Sequence, residues 1–162
     1  MTDRPILGVT MGDPSGTGPE IVTMAWADPA IRALARLVVI GDAACMAQAM
    51  RITKVAGTVR AIDRVAEARY EDGALDVFDL HNVDLSQLQF GKVQAMAGKA
   101  AYEAIAKSIA LAMAGEIDAI VTSAIHKEAL NLAGYHYDGH TEILADLTHT
   151  PSVTMMLVAG DF

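Results

Sequence analysis

The stretch Ile6-Leu-Gly-Val-Thr-Met-Gly-Asp-Pro-Ser-Gly-Thr-Gly-Pro-Glu-Ile-Val-Thr-Met-Ala-Trp26 decides the fold. Ile6–Thr10 is a short apolar run of β-favouring residues. It ends in the turn formers Gly12 to Pro19, and a helical pattern begins at Glu20. Pro19 suits a first helical position, where its missing N–H costs nothing. Strand, glycine-rich loop and helix in that order make one α/β unit. The unit then recurs. Asp28-Pro29 breaks the first helix, and Ile31–Ala35 reads as one or two helical turns. Leu37–Ile40 reads as a buried strand closed by Gly41-Asp42, and 43–50 as a helix. Thr58–Ile62 and Leu75–Leu80 read as strands, and 81–93 as a polar loop. From about 94 to 114 the apolar residues Tyr102, Ile105, Ile109 and Met113 recur at helical spacing, with Gly115 as a stop. Ala119–Thr122 is the next strand, His126–Ala133 a short helix closed by Gly134, and Ser152–Ala159 a last strand-like run. Strands that alternate with helices and read as continuous apolar runs predict an α/β fold, a largely parallel sheet with helices on both faces.

Composition limits what such a fold can do. The 162 residues carry a net charge of −8, which argues against a nucleic-acid surface built from clustered Lys and Arg. With 52% hydrophobic residues and a mean hydropathy of +0.30, there is ample material for a core. Cys45 is the single cysteine, so no internal disulfide and no zinc motif is available. It reads as a small buried hydrophobe. The N-terminus lacks a signal-peptide pattern, and no apolar run approaches the roughly 20 residues needed to span a bilayer. The expectation is a cytoplasmic protein without membrane contact.

Three clusters could carry chemistry. The Gly12–Glu20 loop would present backbone N–H groups at a helix start, which suits an anion. Its spacing is neither G-x-x-x-x-G-K-S/T nor G-x-G-x-x-G, it has no lysine, and Glu20 would repel phosphate. A tight turn in which Asp13 and Ser15 satisfy local backbone is the favoured account. The run Thr122-Ser-Ala-Ile-His-Lys-Glu128 comes after a strand, at the sheet end where open α/β folds bind ligands. There Lys127 could neutralise a phosphate or carboxylate, or could be a solvated lysine beside a capping Ser123; position alone weighs these equally. In His136-Tyr-Asp-Gly-His-Thr-Glu142 two histidines stand four apart, as on a metal-binding helix. Asp138-Gly139 is a turn signal, however, so the rings diverge. His140 and Thr141 are then presented together after the glycine, either as substrate contacts or as ordinary turn residues. His81 and His149 read as structural or solvent-facing.

The run Val9-Thr-Met-Gly-Asp-Pro-Ser-Gly-Thr-Gly-Pro-Glu-Ile21 resembles the N-terminal signature of the 4-hydroxythreonine-4-phosphate dehydrogenase family. Gly91-Lys92, Ala100-Ala-Tyr102, Gly115 to Thr122, and Lys127-Glu-Ala-Leu130 leading to Gly139-His-Thr-Glu142 agree in the same order. The resemblance implies an isocitrate/isopropylmalate-dehydrogenase-like fold of two lobes, working as a homodimer. This chain would be its N-terminal half: the first lobe and the start of the second, with the boundary near 130–150. It implies oxidation of 4-phosphohydroxy-L-threonine by NAD or NADP to a β-keto acid that decarboxylates, in vitamin B6 biosynthesis. A divalent metal (Zn, Mg or Co) would be held by three histidines expected beyond residue 162, and would stabilise the alkoxide as hydride leaves. The family's substrate-binding pair matches His140 and Thr141, with Lys127 and Asp13 as supporting candidates. Where the family commonly has Ala-Pro-Ile-Asn-Lys, this chain has Ser123-Ala-Ile-His-Lys127, a difference close to the expected substrate. Paralogues acting on other 4-phospho-hydroxy acids or on a cyclic diol dicarboxylate are therefore alternatives. A non-catalytic ligand-binding or assembly module on the same fold is another. Residues 1–162 by themselves are expected to be inactive.

Overall fold

The computed structural model describes residues 4–160. Five strands form one all-parallel sheet: β1 (Ile6–Thr10), β2 (Arg36–Gly41), β3 (Thr58–Ile62), β4 (Ala74–Asp79) and β5 (Ala119–Val121), in the spatial order β3-β4-β2-β1-β5. The helices are α1 (Gly18–Ala27), α2 (Pro29–Leu34), α3 (Ala43–Thr53), α4 (Ala95–Met113), α5 (Lys127–Leu132) and α6 (His140–Leu147). The α/β reading of the sequence holds, with most helix and strand bounds close to those expected.

The period of two along each strand sorts the core into two layers. In β2, Val39 meets α1 and α3 through Trp26, Met46 and Met50, while Val38 and Ile40 face Ala104 and Leu111 of α4. Both faces of the central strands are covered, which is why their sequence is apolar without alternation. A third cluster, Ile105, Ile109 and Ile143, packs α6 against α4. Met113, the last member of the expected apolar stripe, is instead 69% exposed, while its neighbours Leu111 and Ala112 pack on the sheet.

Local chemistry fixes the helix starts. Asp28 ends α1 and caps α2, its carboxylate accepting the Ala30 N–H at 2.8 Å. Asp42 caps α3 through the Cys45 N–H at 2.9 Å, and its other oxygen accepts the Val83 N–H at 3.1 Å. One carboxylate thus closes a helix and ties down the polar loop beyond β4.

Two further expectations change. Ser152–Ala159 is not a strand: it pairs with no other strand among the described residues, and Met155, Met156 and Leu157 are 70–89% exposed. Its sequence suits a strand buried on both faces, and no layer here covers either one. His140 and Thr141, expected in a turn, open α6 instead.

The chain turns back at β1. It steps from β1 to β2, passes to the edge strand β3 and comes back to β4 between them, then returns by α4 to place β5 on the opposite flank of β1. The crest between the C-terminal ends of β1 and β5 is the topological switch point of the sheet, where open α/β folds hold ligands.

The α4–α5 contact that brings the chain back is backbone on backbone. A Cβ on Gly98 would lie 2.0 Å from the Ala129 carbonyl oxygen. Gly98→Ala should therefore destabilise the protein by about 2 kcal/mol, although alanine is intrinsically the better helix former. Urea unfolding checks this; an unchanged or raised midpoint would show that α5 stands off from α4.

Candidate functional site

Two loops meet at the switch point and are bonded to each other. The Asp13 N–H donates to the Ala124 carbonyl at 2.8 Å, and the Ser123 N–H donates to the Thr10 hydroxyl at 2.9 Å. The approach is close enough to require glycine. At Gly12 (φ +79°) a Cβ would meet the Ala124 oxygen at 2.6 Å, and at Gly18 it would meet the Met11 oxygen at 2.7 Å. The glycine-rich loop is thus a seat for the 122–126 loop, in agreement with its structural reading.

Asp13 belongs to this seat. It is 7% exposed, and its Oδ1 accepts the Ser15 N–H at 2.7 Å. Burial raises its pKa above the usual carboxylate value, against the bonds from Ser15 and Gly16 and the attraction of His126 across the loop. Ser15 in turn donates to Gln94 Oε1 at 3.2 Å, and the Gly91 N–H donates to the Ser15 carbonyl at 2.7 Å. Gln94 therefore ties the 87–94 loop to the same seat, accepting from the Gln89 N–H and donating to the Gln87 carbonyl. No sequence pattern marked Gln94, since its partners lie in two loops.

Beyond Ser123 the chain enters α5. His126 caps it, Nδ1 accepting the Ala129 N–H at 3.4 Å, which leaves Nε2 as the outward nitrogen. Lys127 is the first residue of α5, is exposed, and has no hydrogen bond or ion pair among the described residues. A cation at a helix N-terminus opposes the helix dipole. The Lys127 ammonium is thus left to solvent or to a ligand.

His140 arrives at the crest from α6. Outweighing the opposite pull of the Ser123 backbone, burial lowers the pKa of the ring below the ordinary imidazole value. Its Nε2 is buried with no partner, as is Ser123 Oγ. Orphaned buried polar atoms need an explanation, and a ligand or water bridging into the crest supplies one. Thr141 is next on the first turn of α6, half-buried. The structure thus gathers Asp13, Lys127 and His140 about the 122–127 loop. It does not bring His136 there: that ring lies 3.1 Å from Asn131 Oδ1, outside the crest. His81 pairs with Asp79 at 3.3 Å, and His149 is exposed.

A cavity of about 180 Å³ opens at the other end of the sheet, beside Arg4, Trp26, Arg32, Arg36 and Tyr70. Arg32 there already donates to the Trp26 and Ala27 carbonyls and pairs with Asp72. That end lacks the loop–helix constellation of the crest. Among the described residues no three His, Cys, Asp or Glu side chains converge as a metal site. No helix of the described residues is long and apolar enough to cross a membrane.

These features define an α/β unit of the doubly wound type, with its switch point between β1 and β5. Residues 33–162 match the family model described as pyridoxal phosphate biosynthetic protein PdxA, and the chain belongs to that family. It is 43% identical over 161 residues to a protein of Clostridium botulinum named as a D-threonate 4-phosphate dehydrogenase, covering 99% of this chain and 48% of the relative. A Symbiobacterium thermophilum protein of the same name is 46% identical over 162 residues, with the same coverage. The crystal structure of a 4-hydroxythreonine-4-phosphate dehydrogenase from Burkholderia phymatum superposes with a TM-score of 0.93 at 44% identity, covering 96% of this chain and 47% of that one. The chain spans about half the length of the relatives it matches.

The placement of the crest residues gives an ordered expectation for variants of the complete gene product. His140→Ala should lower kcat/KM about 10²-fold, the scale of a lost positioned contact. Thr141→Val should cost roughly 1–2 kcal/mol in transition-state binding, one neutral hydrogen bond. His136→Ala should be nearly silent. Steady-state kinetics on the three variants decides it; a His136→Ala loss equal to that of His140→Ala would refute the assignment.

Proposed function

We propose that the complete protein is a nicotinamide-dependent dehydrogenase of a four-carbon, 4-phosphorylated hydroxy acid, and that this chain supplies one wall of its substrate site. The observation that carries the proposal is the half-buried His140 with its Nε2 buried and unpartnered, in a family whose relatives are dehydrogenases.

The reaction takes a hydride from the carbon bearing the secondary hydroxyl to NAD or NADP, while the hydroxyl proton leaves to a base. The product is a β-keto acid, which then loses CO2. In this chain the residues bind and orient. His140 and Thr141 hold substrate oxygens and fix the reacting carbon against the cofactor. Lys127 lies where an anionic end of the substrate would offset its unfavourable place on the helix. Asp13 acts indirectly, by holding the seat on which the 122–126 loop rests. A divalent metal has no ligand set among the described residues. The same reading makes the complete protein a cytoplasmic homodimer.

Two substrates compete. D-threonate 4-phosphate is the first reading, because the relatives so named match almost the whole chain. 4-Phosphohydroxy-L-threonine, implied by the sequence motifs and by the name of the Burkholderia phymatum enzyme, is the second. They differ at C2, where one carries a hydroxyl and the other an ammonium. The complete gene product should reduce NAD or NADP with D-threonate 4-phosphate at a kcat/KM about 10-fold or more above that for the amino acid, the scale of one mismatched polar group. The nicotinamide absorbance reads this out. A reversed ratio selects the second reading, and no reduction with either compound overturns the proposal.

A further inference from the structure

The helix that carries His140 and Thr141 is held on α4 by Ile143, Leu144 and Leu147, all of them beyond its first turn. Of its eight residues only Ile143 is buried, its N-cap Gly139 offers no side-chain hydrogen bond, and the Ile143 N–H reaches the Gly139 carbonyl at 3.4 Å. The turn that bears His140 and Thr141 precedes these apolar anchors.

Three tyrosines form one cluster. Tyr102 projects from α4, and the ring of Tyr135 stacks on it at 3.7 Å between centroids with 14° between planes. Tyr137 lies in the same near-parallel set, 6.0 Å from Tyr102. Both Tyr135 and Tyr137 belong to the short connection from α5 to α6, which leaves α5 at Gly134 with φ +91°. The Tyr137 hydroxyl then donates to Asp146 Oδ2 at 2.6 Å. This bond runs from a residue before His140 to one in the last turn of α6, so it straps the length of the helix back onto its own entry. The bond to Asp146 is the main reason the Tyr137 phenol titrates above its ordinary value, so the donor proton stays in place across the physiological range.

We infer that Tyr137 is a positioning residue for the proposed substrate site: its stacking on Tyr102 and its bond to Asp146 set the first turn of α6, and with it His140 and Thr141. The inference rests on the reading of His140 and Thr141 as substrate contacts. Tyr137 touches no reacting atom. It acts by restricting α6 to the one orientation in which both side chains meet the crest, a restriction that would otherwise be drawn from binding energy.

The test uses the complete gene product. Tyr137→Phe keeps the ring and removes the bond, and Asp146→Leu removes the acceptor. Each should raise KM for the phosphorylated hydroxy acid about fivefold, the ratio worth one hydrogen bond, with kcat and the nicotinamide KM unchanged. Asp146→Asn keeps an acceptor oxygen and should behave as wild type. A purely structural role would instead lower the active fraction, and so kcat, at constant KM; that result overturns the inference. Amide hydrogen exchange over 140–143 is the second measurement and needs no substrate. It should quicken about fivefold in Tyr137→Phe by the same ratio, and unchanged exchange likewise overturns the inference. If His140→Ala leaves KM and kcat intact while exchange in Tyr137→Phe quickens, the substrate reading has failed and the strap has not.

Discussion

Everything at the ligand edge depends on how closely the backbone leaving β1 can lie against the backbone leaving β5. The Asp13 N–H to Ala124 bond and the Ser123 N–H to Thr10 bond join the two loops, and both need the chain to approach without side chains at Gly12 and Gly18. Parallel neighbours in an open sheet ordinarily splay at a switch point, because their connections run in opposite directions. Here the splay is stitched shut at its base. The crest above it therefore has a floor of fixed backbone, on which the His126 cap, Lys127 and the His140 ring are arranged.

That floor extends the role of residues that never meet a ligand. Ser15 and Gln94 carry it outward to the 87–94 loop, and Asp42 carries it to Val83. Each is a carboxylate, amide or hydroxyl that ties separate segments together. Such groups are costly to leave unpaired once buried, so the loops they join are held in one arrangement. The raised pKa of Asp13 has the same origin: the carboxylate is kept where it organises the backbone, although burial disfavours its charge.

The opposite holds for the groups on top of the floor. Lys127 sits against its helix dipole, and His140 Nε2 and Ser123 Oγ are buried without partners. Other buried polar atoms without partners, Gln48 Oε1 and Asn82 Oδ1, stand apart from one another, whereas these two belong to the same edge of the sheet, and local conflict within otherwise consistent structure is where function is to be sought. The tyrosine stack joins the two tiers, since it bonds within the scaffold while fixing the helix that bears His140.

Much of this was legible in the residues in order. Strand positions Ile6–Thr10 and Leu37–Ile40, the long helix ending before Gly115, and the loop role of Gly12–Pro19 come from periodicity and turn chemistry, which act over a few residues. Lys127, His140 and Thr141 stood out as separate candidates because each lies next to a strand end or a glycine turn, and the family resemblance singled out the last two. Ser152–Ala159 misled, because apolar β-favouring residues specify a strand only when a neighbouring strand and covering layers exist, and none is supplied within 4–160. The start of α6 at His140 was likewise hidden: Asp138-Gly139 marks a turn, but only the packing of Ile143 on Ile105 and Ile109 makes a helix of 140–147. Sequence determined the elements and the residue types able to do chemistry, since those depend on local backbone preference. The tertiary structure decided that Asp13 meets Ala124, that Ser123 meets Thr10 and that Tyr137 meets Asp146. Those pairings depend on strand order, on helix packing and on glycines that let distant backbones touch.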